Sequence, residues 1–123
     1  MQRTKQLTTA AALAASLALA APALAGPTAT PTPLAGSVGP GFTISLMKGG
    51  KAAKNLKPGS YTITVKDKSS AHNFHIFGPG VKKVVTSVNF VGTKKVTVTL
   101  KKGTYTFVCD PHASSMKGTV KVV

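Results

Sequence analysis

Acidic residues are almost absent from this chain. Among its 123 residues, Asp67 and Asp110 are the two carboxylates, against 16 lysine and arginine residues, and the formal net charge is +14 at pH 7. This scarcity argues strongly against mechanisms that need paired carboxylates, such as glycoside hydrolysis, and against calcium or magnesium sites built from oxygen ligands. The chain also has one cysteine and no tryptophan, so an internal disulfide is excluded. What remains is a small basic chain, long enough for one domain with one modest core.

Residues 1–25 have the pattern of a secretory signal peptide. Arg3 and Lys5 precede an uncharged run rich in alanine and leucine, residues 7–21, and Ala23-Leu24-Ala25 has the small-residue pattern of a cleavage site. The apolar run is shorter than the roughly 20 residues that a membrane-spanning helix needs; an uncleaved membrane anchor is the alternative. We therefore predict cleavage after this tripeptide and export to the periplasm, the cell surface or the extracellular space.

The rest of the chain is predicted to be a linker, residues 26–41, followed by one domain, residues 42–123. The linker is rich in proline, threonine and glycine, which is typical of flexible segments. The domain alternates apolar and polar residues over short runs separated by glycine and proline turns, which is typical of strands buried on one face. It is therefore predicted to be an all-β, antiparallel Greek-key sandwich of about seven to eight strands. The predicted strands are 42–46, 61–65, 71–77, 83–88, 96–100, 105–109 and 118–123.

Two of these strands begin in the same way. Residues 57–61 and 101–105 each place a glycine two residues before a tyrosine, Tyr61 and Tyr105. A tyrosine at such a corner can pack its ring in the core and hydrogen-bond its hydroxyl back to the corner backbone. We predict this architectural role for both tyrosines.

The residues with the most chemistry lie near the carboxyl end. Cys109 ends an apolar strand, and His112 and Met116 follow it closely. Because Pro111 cannot continue a β-ladder, the chain must loop before the closing strand, and such a loop can direct a thiolate, an imidazole and a thioether toward one point. A lone cysteine in an exported protein is an intermolecular link, a reactive thiol or a metal ligand. Its neighbours favour the metal ligand over a buried core cysteine.

A fourth ligand is expected upstream, in the segment His72-Asn73-Phe74-His75-Ile76. On a strand, His72 shares a face with the apolar residues Phe74 and Ile76, whereas His75 points the other way. This parity favours His72 and leaves His75 as a surface histidine or a weaker metal contact. Two histidines, one cysteine and an axial methionine form the ligand set of blue-copper electron-transfer sites. The methionine argues against structural zinc.

These residues resemble those of a small cupredoxin of the plastocyanin, amicyanin and pseudoazurin type. The resemblance covers about residues 42–123 and is carried by His72-Asn73, by the strand 104–109 and by Cys109-x-Pro-His112 with Met116. It implies one copper ion, Cu(I) or Cu(II), bound by His72, Cys109, His112 and Met116. It also implies that the His112 ring lies at the surface as the exit for the electron.

The residues next to the ligands also have roles that the resemblance implies. Asn73 is expected to hydrogen-bond across to the cysteine loop and hold the thiolate in place. Asp110, which precedes Pro111, stands where family members often have a small hydroxyl residue. A carboxylate there is expected to tune the reduction potential or to bond a backbone amide.

The many lysines indicate which kinds of partner the protein binds. Lys48, Lys51, Lys54 and Lys57 recur at every third residue. A charge run is usually a solvated face, and lysines also protect strand edges from pairing. Nucleic acid is not an expected partner, because the chain is predicted to be exported and has no interleaved aromatic platform. We expect a monomer that meets protein redox partners with acidic docking surfaces and associates with an anionic wall or membrane surface.

The sequence thus predicts an exported type 1 copper protein that shuttles single electrons. It is not expected to be an enzyme, because four protein ligands leave no open metal position for a substrate. Two alternatives come from other classes: a protein that stores or delivers copper without a redox role, and a metal-free sandwich used for adhesion.

Overall fold

The structure is a computed structural model that describes residues 29–123 together with Ser16 and Ala18. Nearly all of the predicted signal peptide, including its cleavage site, lies outside the described residues, and its prediction stays a prediction. In the part that is described, no helix is long and apolar enough to cross a membrane. The strands are β1 (Thr32–Val38), β2 (Ile44–Lys48), β3 (Lys51–Ala52), β4 (Asn55–Leu56), β5 (Gly59–Asp67), β6 (Phe74–Gly78), β7 (Val81–Thr86), β8 (Gly92–Leu100), β9 (Gly103–Val108) and β10 (Lys117–Val122).

The strands form two five-stranded sheets with the orders β3-β2-β1-β5-β8 and β4-β10-β9-β6-β7. The predicted all-β sandwich is confirmed, with more strands than predicted. The pairs β1–β5 and β4–β10 are parallel, so the sandwich is not wholly antiparallel. Strands β3 and β4 have two residues each, which is too short for a period-two pattern to appear in the sequence.

Strand β1 corrects the prediction of a linker over residues 26–41. Its residues Leu34 and Val38 are buried, and the strand lies between β2 and β5 in the centre of its sheet. Pro33 fits in it because β2 pairs only with residues 35–38, so the missing N–H of Pro33 interrupts no bond to that neighbour. Gly36 is needed for packing, since an added Cβ would lie 2.9 Å from Val65 and 3.1 Å from the ring of Phe74.

Four connections emerge together at one end of the sandwich. They follow the ends of β1, β5, β7 and β9, as the register shows: Asp67 pairs with Val38 and with Gly92, and Phe74 pairs with Thr86. The core between the sheets is formed by the alternating apolar residues of these strands. This end of the molecule therefore presents four loops on a rigid double sheet.

The opposite end contains the two tyrosine corners, and their predicted role is confirmed. The Tyr61 hydroxyl donates to the carbonyl of Lys57 at 2.5 Å. The fully buried Tyr105 accepts from the N–H of Lys101 at 2.9 Å and donates to the carbonyl of Pro79 at 2.6 Å. Tyr105 thus ties together two turns that are far apart in sequence.

We expect Tyr105→Phe to lower the free energy of unfolding by about 2–3 kcal/mol, because the change leaves both a buried N–H and a carbonyl without their partner. Tyr61→Phe removes one bond and should cost about 1 kcal/mol. Denaturation in urea at neutral pH measures both. Equal losses of stability in the two variants would contradict the conclusion that Tyr105 connects two turns whereas Tyr61 makes a single local bond.

Candidate metal centre

The cysteine loop closes on itself through backbone hydrogen bonds. Cys109 follows β9 directly, is fully buried, and donates its N–H to the carbonyl of Met116 at 3.0 Å. The N–H groups of His112 and Met116 donate to the carbonyls of Cys109 at 3.1 Å and of His112 at 2.8 Å. A 3-10 helix, Asp110–His112, contains Pro111 at its start. These backbone hydrogen bonds link residues throughout the segment from Cys109 to Met116. They stabilise the compact loop that the sequence predicts.

His72 reaches the same point from the connection between β5 and β6. Strand β6 begins at Phe74, so His72 precedes the strand rather than lying within the predicted strand 71–77. The prediction that Phe74 and Ile76 both face the core is nevertheless confirmed, since both are fully buried. His72 is itself buried, with 4% of its surface exposed.

Three donor atoms converge where these two loops meet. Nδ1 of His72 lies 3.0 Å from Nδ1 of His112, and Sγ of Cys109 lies 3.7 Å and 3.6 Å from these two nitrogens. Two of the residues are buried and His112 is partly exposed. His75 is not part of this group, so the geometry favours His72 over His75 as the upstream ligand.

The geometry of this triangle fits a metal ion. A point equidistant from three atoms at these separations lies about 2.0 Å from each of them, close to the roughly 2.0–2.3 Å of metal–nitrogen and metal–sulfur bonds in protein sites. Two imidazoles and a thiolate are borderline and soft ligands, which suit copper and exclude calcium or magnesium. A hydrogen bond between the two facing Nδ1 atoms would satisfy only that pair, whereas a metal accepts a lone pair from all three donors.

Met116 lies in the same buried cluster as Cys109 and has no exposed surface. Its backbone is bonded both to Cys109 and to His112, so the residue is carried by the loop that carries two of the three donors. Its predicted role as a fourth ligand stays a prediction at this point.

Asn73 joins the histidine loop to the cysteine loop, as the resemblance implied. Its Nδ2 donates to Oδ2 of Asp110 at 2.8 Å, and its Oδ1 accepts from the N–H of Asp110 at 2.7 Å. The second carboxylate oxygen of Asp110 lies 3.0 Å from Nδ1 of His75. The carboxylate of Asp110 therefore bonds to two side chains rather than to a backbone amide. His75, predicted as a surface histidine or a weaker metal contact, has only 16% of its side chain exposed and is bonded to Asp110.

Phe42 is a site residue that the sequence did not identify. Its ring centre lies 5.6 Å from that of His72 and 4.9 Å from that of His112, and 67% of its surface is exposed. The sequence predicted it as the first residue of a strand, but β2 begins at Ile44. Positive φ angles at Gly39 and Gly41 turn the chain before Phe42. The Gly-Pro-Gly segment directly before an aromatic residue is the signal in the sequence.

The pKa of Asp110 links this network to stability. Burial raises the pKa, but hydrogen bonds from His75 and Asn73 and the charge of His75 outweigh burial, so the pKa lies below its usual value of 3.8. A carboxyl whose pKa is lowered by folding stabilises the fold above its unfolded pKa, and the contribution is lost as pH falls through the folded pKa.

We therefore expect Asp110→Asn to lower the free energy of unfolding near neutral pH, with a difference that shrinks as pH falls from about 4 toward 2. Urea denaturation of the copper-free protein and the variant over this range measures the difference. A difference that is independent of pH would mean that the carboxylate charge contributes nothing.

A family model described as copper binding proteins of the plastocyanin/azurin family matches residues 41–123, which include every residue of the triangle. No curated protein sequence is significantly similar to the chain.

Solved structures show the same fold. Rusticyanin from Thiobacillus ferrooxidans is 26% identical with a TM-score of 0.54, and the match covers 78% of this chain and 79% of rusticyanin. Auracyanin A, a "blue" copper protein from Chloroflexus aurantiacus, is 18% identical with a TM-score of 0.53, and the match covers 76% of this chain and all of auracyanin A. The family match, with the donor triangle lying inside it, identifies the chain as a cupredoxin of the plastocyanin/azurin family.

Proposed function

We propose that the protein is an exported type 1 copper protein that passes single electrons between redox partners. The observation that carries this proposal is the triangle of two imidazole nitrogens and one sulfur, formed by two loops that hydrogen bonds hold together. Copper in such a site supplies one-electron chemistry by cycling between Cu(I) and Cu(II). The chain's part is to hold its donors in one arrangement that serves both oxidation states.

The structure suits this role because its donor residues are held by hydrogen bonds and need not move when the oxidation state changes. The cysteine loop is closed by its own backbone bonds, and Asn73 and Asp110 fasten it to the histidine loop. Cys109 and His72 are buried, so water has little access to the sulfur. Met116 is proposed as the weak axial ligand. With four ligands from the chain, no position is left for a substrate, and the protein is proposed to be a carrier rather than an enzyme.

His112 is proposed as the point where electrons enter or leave. It is the partly exposed member of the triangle, and the exposed ring of Phe42 lies beside it at 4.9 Å. The partners are proposed to be proteins with acidic docking surfaces, which the lysines attract over a distance. Export, a monomeric state and the absence of nucleic-acid binding are part of the same proposal.

Addition of Cu(II) to the purified copper-free protein tests the site. We expect an intense blue absorption band that ascorbate bleaches, and its loss in Cys109→Ser, because the thiolate supplies the sulfur ligand. His75→Gln is the matched control and should keep the band, since His75 lies outside the triangle.

A weak, pale spectrum that Cys109→Ser does not change would overturn the proposal. A blue band with copper that is rapidly lost to a chelator would favour copper delivery over electron transfer. A thermal unfolding temperature that copper does not raise would favour the metal-free adhesion module, since a ligand bound only to the native state must stabilise it.

The role of Met116 is tested by Met116→Leu. We expect this variant to keep a blue band and to have a higher reduction potential, because an apolar side chain in place of a ligand disfavours the more highly charged Cu(II). Voltammetry of both proteins measures the potential. An unchanged potential would show that Met116 is only a core residue.

A further inference from the structure

A basic groove lies on the open side of the sandwich, where the edge strands β7 and β8 of the two sheets run beside each other. Its volume is about 390 Å³. The groove is lined by three lysines, Lys82, Lys83 and Lys101. The hydroxyl-bearing residues Thr97 and Thr99 of β8 line it as well. All three lysines are exposed. Lys83 pairs with the inward-facing Ile76, so it lies on the inner side of its sheet at the open edge, and Lys82, which pairs with the exposed Phe77, lies on the outer side of the same edge.

No carboxylate side chain of the described residues is paired with the lysines of this basic groove. Among the described residues the ion pair found is His75–Asp110, and none of the three lysines takes part in it. The chain's two carboxylate side chains lie elsewhere: Asp67 is at the end of β5 that leads to His72, and Asp110 follows Cys109. Three lysines around one concavity repel each other, and solvent ions or a bound anion compensate their charge.

The basic groove is also held in shape before any ligand arrives. Tyr105 bonds to the N–H of Lys101 and to the carbonyl of Pro79, which fixes the turn that carries Lys101 against the turn that leads into β7. Lys101 passes close over Gly80, where an added Cβ would lie 3.7 Å from the Lys101 Nζ. The backbone of the groove is therefore preformed, and binding has to order only the lysine side chains.

Protection of strand edges does not account for the arrangement. Lysines on an edge strand blunt pairing with other chains, and this explains Lys82 and Lys83 on β7. Lys101 lies in the turn after β8, outside any strand, and yet it lines the same concavity.

The position of the basic groove indicates attachment rather than electron exchange. Lys82 pairs with Phe77, near the β6–β7 turn, and Lys101 follows the end of β8 at Leu100, which pairs with Gly59. Both places are at the end of the sandwich opposite the metal loops. A ligand bound there leaves His112 and Phe42 free for a redox partner.

We propose that the basic groove binds a linear polyanion with repeated phosphate groups, and that this anchors the protein with its metal end free. A single extended chain can enter a concave site between two strands, whereas a flat bilayer would touch only its rim. Lysine ammonium groups bind phosphate as point charges. The lining has no aromatic residue on which a nucleic-acid base could stack.

Binding of long-chain polyphosphate, followed by isothermal titration calorimetry, tests the proposal. The groove variant is Lys82→Gln, Lys83→Gln, Lys101→Gln, and the matched control is Lys48→Gln, Lys51→Gln, Lys54→Gln. The control removes the same charge from exposed lysines on and beside β3, at the opposite edge. We expect the groove variant to bind about tenfold or more weakly, with a salt dependence shallower by about 2 in log–log slope, and the control to change less than about threefold.

Equal losses in the two variants would mean that polyphosphate responds only to net charge, and the proposal would be wrong. Binding to anionic lipid vesicles that depends on the groove lysines, without binding to polyphosphate, would reassign the surface to a membrane. Amide chemical shifts on addition of polyphosphate should change along β7 and β8 and not at the metal loops. Because the copper spectrum does not enter either readout, these outcomes are independent of the proposed redox function.

Discussion

The two hydrogen bonds between Asn73 and Asp110 are the connection on which the metal centre depends. His72 comes from one loop and Cys109 and His112 come from another, and the ladder between β6 and β9 ends at His75 and Val108, just short of the donors. Asn73 uses both ends of its amide, at 2.8 Å and 2.7 Å, to bond a side chain and a backbone group of the same residue. Such a two-point contact fixes orientation as well as distance, so the nitrogens and the sulfur meet at one place.

That convergence has an energetic cost which the rest of the fold must offset. Cys109 and His72 are buried polar groups with few hydrogen bonds, and burying such groups costs free energy. The cost is offset by a continuous apolar core that extends from Leu34 on β1 to Val122 on β10. A metal ion that accepted the donors' lone pairs would offset this cost and raise the free energy of unfolding. The fold thus holds the three donors close together, and a metal bound there would stabilise it in turn.

The sequence revealed the parts of this arrangement that depend on spacing along the chain. Cys109, His112 and Met116 lie within one loop, and the two tyrosine corners lie within five-residue segments, so local pattern was enough. The parts that depend on contacts between distant segments were missed or misjudged. Strand β1 has proline and glycine that read as a linker, and only its burial between β2 and β5 makes it a strand. Phe42 and the pair His75–Asp110 acquire their roles from neighbours 30 or more residues away.

The acidic side chains lie at one end of the sandwich, whereas lysines lie at both ends. Both carboxylate side chains lie at the metal end, where one is bonded to Asn73 and His75 and the other, Asp67, is buried and accepts the N–H of Ser69 at 3.1 Å. The groove lysines lie at the other end, and none of them pairs with a carboxylate side chain among the described residues. Lysines occur at the metal end as well: Lys94 pairs with Val65 near the end of β5, and Lys117 pairs with Val108, next to Cys109. Positive charge is therefore available both to a polyanion at the groove and to an acidic redox partner at the metal loops, because a small chain with +14 formal charges and two carboxylates carries lysines at both ends.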